Sequence, residues 1–179
     1  MKSKNMSPAA ASRMTRKTAY AVVLVAIGVA LAPYTSFPIG IAKVNPTQHF
    51  VNVLAAVILG PWWAVLTAGV IAVLRNAMGV GTLLAFPGGM IGALLAGLAY
   101  RLLRRGWAAA VGEIIGTGGI APAVSALFVA PMLMGKAIPL LALVPSFAAS
   151  SIAGALLGLL ALRLLKRADI VAYEDRPGK

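Results

Sequence analysis

Six apolar runs, broken by glycine and proline and edged by basic residues, fill this chain from Thr18 to Leu165. They cover residues 18–32, 46–60, 62–78, 87–103, 107–130 and 138–165. Such a succession leaves little room for a water-soluble fold. An ordinary soluble domain is about 25% charged and about 45–50% apolar; this chain of 179 residues is 11% charged and 60% hydrophobic. A globular domain of this size still exposes much of its surface and could not hide that apolar content. The composition excludes a soluble enzyme, a disordered protein and a DNA-binding domain. It predicts an all-α integral membrane protein, six transmembrane helices in a compact bundle.

Several of these runs are shorter than the ~20 residues that cross a typical hydrocarbon core. Asn45 is a candidate N-cap with Pro46 at the first helical position, and Gly60-Pro61 breaks the second run from the third. Short, broken helices suit a bundle with an internal cavity, where irregular backbone faces protein instead of lipid.

The net charge is 16 − 4 = +12. The basic residues sit at the ends of the apolar runs, as the positive-inside rule requires, so no nucleic-acid partner is needed to explain them. With six spans, three clusters fall on one side, which should be the cytoplasm: Lys2, Lys4, Arg13, Arg16 and Lys17; Arg101, Arg104 and Arg105; Arg163, Lys166 and Arg167. The other side receives Lys43 and Lys136, with Arg75 near the end of the third helix. Residues 1–17 read as a mobile basic cytoplasmic arm, 18–167 as the membrane domain, and 168–179, with Asp169, Glu174 and Asp175, as a solvated cytoplasmic tail. A basic start before an apolar run also resembles a signal peptide, but the rest of the chain is equally apolar, so the run is more simply the first span. Cysteine is absent and histidine occurs once, so no metal site and no cofactor are expected.

Small residues recur at four-residue spacing: Ala26/Ala30 and Gly28/Ala32 on the first helix, Gly88/Gly92 and Ala93/Gly97 on the fourth, Gly112/Gly116 on the fifth, Gly154/Gly158 on the sixth. Close backbone approach over such residues drives helix association in lipid. On helices four to six this is packing within the bundle; on the first it offers an external docking surface.

Polar groups gather toward the outer half. The loop 33–48, the longest connection, has the length of a lid or binding loop. His49 and Asn52 share one face of the second helix. Arg75 and Asn76 lie roughly 20 Å along the third, and Ser146, Ser150 and Ser151 descend from the outer end of the sixth. Glu113 is the only acidic residue outside the tail, roughly 9 Å above the start of the fifth helix, with Thr117 one turn higher. Ionisable groups within spans read as functional by default. Arg75 is the obvious partner for Glu113, although their estimated depths differ by about 10 Å. The glycines of 79–82 and 88–89 only superficially resemble a phosphate-binding loop: no preceding strand and no Lys-Ser/Thr pair accompany them. They fit a tight or re-entrant outer loop.

Taken together, His49-x-x-Asn52-Val53-Leu54-Ala55-Ala56, Leu59-Gly60-Pro61-Trp62, Leu74-Arg75-Asn76, the stretch from Gly79 through Phe86-Pro87-Gly88-Gly89 to Ala93, and Gly112-Glu113-Ile114-Ile115-Gly116-Thr117-Gly118 resemble the ThiW family. Its members are substrate-binding S components of energy-coupling factor (ECF) transporters, assigned to the thiazole precursor of thiamine. The similarity spans about residues 20–165; one departure is Gly89, where the family pattern has serine. The resemblance implies a six-helix S component of a prokaryotic cell membrane that binds a small vitamin precursor on the outer side. It would hand its cargo on only with a transmembrane T component and two cytoplasmic ATPases. Ala26 and Ala30 match the small residues that contact the T component.

The expected cargo is hydroxyethylthiazole, held by His49, Asn52, Arg75 and Asn76 in an outer-half pocket. The loop around Asn45 closes it, Glu113 and Thr117 form its floor, and Phe86 or Trp63 supplies an aromatic wall; Ser150 lies close by. The alternatives are thiamine or another small vitamin as cargo, a membrane enzyme, or a structural bundle. An enzyme would need a paired acid/base or metal constellation, and one His and one Glu on separate helices serve that poorly. A structural bundle would not need Arg75, Asn76 and Glu113 inside spans.

Overall fold

A computed structural model describes residues 7–40 and 42–169. Lys2, Lys4, Glu174 and Asp175 lie outside the described residues.

Helix α1 (Pro8–Ala30) starts at Pro8 instead of Thr18, so residues 8–17 are not a mobile arm but the first turns of the helix. The cause is local. Ser7 caps the Ala10 N–H through its hydroxyl, Pro8 occupies the first helical position, and Ala9, Ala10 and Ala11 follow with the best helix propensity. The loop 33–48 is also more ordered than expected. It contains a single turn, α2 (Ala32–Thr35), and a hairpin of β1 (Phe37–Ile39) and β2 (Ala42–Val44), paired antiparallel with Pro38 opposite Lys43.

Helix α3 (Pro46–Ile58) begins at the Asn45 cap, whose side-chain oxygen accepts from the Gln48 N–H at 2.8 Å. Gly60, at φ +94°, makes the sharp turn into α4 (Pro61–Ala77). Helices α5 (Ala85–Leu103), α6 (Gly106–Leu133) and α7 (Leu140–Arg167) complete the chain. Within α6 the turns widen to π geometry at Ile115–Ile120 and Ser125–Val129. Pro122 and Pro131 lack the N–H that an α-helix would use, and the wider turns carry the helix past them.

Among the described residues three helices, α5, α6 and α7, are long and apolar enough to cross a membrane. The 13 residues of α3 and 17 of α4 reach only about 20 and 26 Å, and α1 carries Arg13, Arg16 and Lys17 in its first half.

Helix α3 lies at the centre of the bundle. It packs against α7, α5, α4, α1 and α6, and ten of its residues are buried. Small residues make this closeness possible. A Cβ at Gly154 of α7 would meet the Pro46 carbonyl and lie 2.6 Å from His49 Cβ; one at Gly116 of α6 would lie 2.7 Å from Gly92 Cα of α5. The two small-residue pairs at the end of α1 and the start of α2 separate. Gly28 and Ala32 are buried, Gly28 against Ile71 of α4, whereas Ala26 and Ala30 face outward. Outward-facing Val22, Leu66, Val73, Leu102, Leu127, Leu141 and Leu156 give the bundle an apolar exterior.

Candidate functional site

The first two turns of α3 put Gln48, His49 and Asn52 into the upper half of the bundle, all buried. Opposite them, α6 presents Glu113 and Thr117 one turn apart. Glu113 is fully buried, and three side chains from two helices, α3 and α6, share its Oε1. His49 Nδ1 lies 2.7 Å away, Asn52 Nδ2 donates at 3.1 Å, and the Thr117 hydroxyl is at 2.9 Å. Asn52 also donates to the Gly89 carbonyl at 2.9 Å, and Thr117 to that of Gly88 at 2.7 Å. These bonds bring α5 into the same node. Side chains can enter here because α5 is bare at the crossing: a Cβ at Gly92 would collide with Thr117 Oγ1 and both Glu113 oxygens. Glu113 Oε2 is buried without a partner. The ion-pair partner of Glu113 is therefore His49, not Arg75. Arg75 sits a level higher, where its guanidinium bonds Gln48 Oε1 and, at 3.3 Å, Ser36 Oγ.

Above this node is a pocket of about 350 Å³, its mouth included. His49, Gln48, Arg75 and Thr117 line it from below and the side; Phe147 and Ser150 of α7, and Leu84, Ala85, Gly88 and Gly89 around the start of α5, complete the walls. The hairpin covers it with Lys43, Val44 and Asn45. The cover is tied down on two sides. The Asn45 N–H donates to Ser150 Oγ at 3.1 Å, and Asn45 Nδ2 donates to Ser36 Oγ at 2.8 Å and Thr35 Oγ1 at 3.1 Å. Lys43 Nζ reaches the Gly79 carbonyl at 3.0 Å, joining the hairpin to the α4–α5 turn.

Of the residues singled out in the sequence, His49, Arg75, Thr117, Asn45 and Ser150 line this pocket, and Glu113 and Asn52 form the hydrogen-bonded layer behind it. Three others stand elsewhere. Asn76 Nδ2 donates to the Ala72 and Thr82 carbonyls at 2.8 and 3.1 Å, so it braces the α4–α5 turn. Phe86 is half-buried and off the pocket, and Trp63 packs at the lower end; the aromatic wall is Phe147. Sequence reasoning left out Gln48, Lys43 and Phe147. Phe147 stands three residues before Ser150, on the same helix face, and that spacing was the available signal.

The arrangement of these helices defines a known class of membrane protein. The chain is similar in structure to a protein described under "Structure and mechanism of the S component of a bacterial ECF transporter", with a TM-score of 0.71 and 18% identity, covering 87% of this chain and 98% of that one. The fold is that of an S component. Residues 18–168 match the model of the ThiW family, described as thiamine-precursor transporter protein, and the chain belongs to this family. It is a family of transporters, not of enzymes. No curated protein sequence matches the chain.

Proposed function

We propose that this protein is the substrate-binding S component of an ECF-type uptake transporter and that its cargo is the thiamine precursor hydroxyethylthiazole. The observation that carries the reading is the covered upper pocket above the His49–Glu113 node, in a chain of this family and fold. Phe147 offers a face for the ring, and His49, Gln48, Thr117 and Ser150 offer bonds to the ring nitrogen and the hydroxyl. Asn52 and Glu113 hold His49 in place from behind, and Asn45 anchors the cover. Asn76 acts at one remove, through the turn it braces.

In this reading the bundle crosses a prokaryotic plasma membrane six times, as the domain 18–167. The short α3 and α4 are shielded by their neighbours, and both termini are cytoplasmic. The pocket then opens outward. A T component docks on the outward face of α1 at Ala26 and Ala30, and two cytoplasmic ATPases drive release.

Calorimetric titration of purified protein with hydroxyethylthiazole, and separately with thiamine, tests the cargo. Saturable one-site binding of the thiazole, tighter than of thiamine, is expected. Preference for thiamine, or no thiazole binding, rejects this cargo.

A further inference from the structure

The upper pocket has an unbalanced charge. Arg75 is only 2% exposed, yet its bonds go to neutral acceptors, Gln48 Oε1 and Ser36 Oγ, and its Nε is buried with no partner. Lys43, on the same pocket wall, bonds a backbone carbonyl. Neither cation has a carboxylate partner among the described residues. Asp169 is at the far end of α7, and Glu113 is committed to His49, Asn52 and Thr117. The protonation of the His49–Glu113 pair does not change the sign. With the pair at −1, the site carries 2 − 1 = +1; with the pair neutral it carries +2. A guanidinium withdrawn from water ordinarily keeps a carboxylate or phosphate against its planar fork of donors. Here the position for such a group is the open pocket.

Resting on the reading of this pocket as the ligand site, we infer that it takes its heterocycle in anionic form: a small heteroaromatic ring bearing a carboxylate or a phosphate monoester, with the anion between Arg75 and Lys43. The ring then lies toward Phe147, and the neutral alcohol is the weaker ligand because it leaves Arg75 without a counter-ion. A charge-assisted bond in place of a neutral one corresponds to roughly five- to tenfold in affinity, and the anion meets two cations.

Three probes titrated into purified protein distinguish the possibilities: hydroxyethylthiazole, its phosphate monoester, and 4-methylthiazole-5-acetate. The inference expects at least one acid to bind about tenfold or more tightly than the alcohol, with the ratio narrowing in Lys43→Gln and at high salt. The two acids separate phosphate from carboxylate recognition. Lys43 is exposed on the hairpin, so its variant does not depend on repacking the core. An alcohol that binds as tightly as both acids overturns the inference and leaves the thiazole cargo standing. If no thiazole binds, the cargo reading fails, and inorganic phosphate decides the charge question. Thermal stabilisation by phosphate that is lost in Lys43→Gln upholds an anion site; no stabilisation overturns it.

Discussion

Helix α3 and the second half of α1 are both largely apolar in sequence, but the structure uses them in opposite ways. In α3, ten of 13 residues are buried, among them Thr47, Gln48, His49 and Asn52. In α1, 23 residues long, only Ala21, Leu24 and Gly28 are buried. Hydrophobicity alone does not decide burial, because lipid is as apolar as a packed neighbour. Polar groups do. A helix that carries an imidazole and two side-chain amides must be surrounded by partners, and α3 is. A helix whose polar residues stay in its first turns can remain at the edge and leave a face for another protein.

If that contrast holds, substitutions on α3's partners should cost far more than substitutions on the outer face of α1. The largest effect is expected for Glu113→Ala, which strips the acceptor shared by His49, Asn52 and Thr117. Breaking a buried pair of this kind costs about 3–5 kcal/mol. Unfolding of the detergent-solubilised protein should show it, and a midpoint equal to wild type would mean that the node does not hold the helices together. Asn52→Ala should cost less, about 1–3 kcal/mol, by leaving the Gly89 carbonyl without its donor. Asn45→Ala removes the α3 cap, worth about 1 kcal/mol, and frees the hairpin from α2. Hydrogen exchange in the strand residues 42–44 should accelerate while that of α5 stays as it was. The smallest effect is expected for Ala26→Leu combined with Ala30→Leu. The isolated protein should stay within about 0.5 kcal/mol of wild type, while co-purification with the T component falls, since larger side chains keep a partner helix away. A double variant that unfolds easily would place this face inside the bundle; one that co-purifies normally would move the docking surface off α1.

The helices themselves were legible from Pro46, Gly60-Pro61 and the basic edges, and the polar level of the bundle from His49, Asn52 and Glu113. Their pairing was not. His49 and Glu113 are 64 residues apart, and opposite charge alone points to Arg75, against a difference in estimated depth of about 10 Å. The hairpin escaped notice because its strands have three residues each and one contains Pro38. The early start of α1 was written in Ser7-Pro8, but the neighbouring charges read as an unstructured arm. Gln48 and Lys43 looked like residues of a polar loop; the first turn of α3 brings Gln48 to the pocket and the hairpin brings Lys43.

The central claim is that the ligand occupies the space under the hairpin. Ala85, half-buried at the start of α5, lines that space without bonding to the His49–Glu113 node. Ala85→Trp should fill the pocket and leave the helices in place. Calorimetric titration of this variant, checked for a wild-type unfolding midpoint, against a panel of the thiazole alcohol and its acidic derivatives is the direct test. The account predicts that the ligand wild type binds gives no measurable heat of binding with Ala85→Trp. Binding with wild-type affinity would contradict it and place the ligand elsewhere in the molecule.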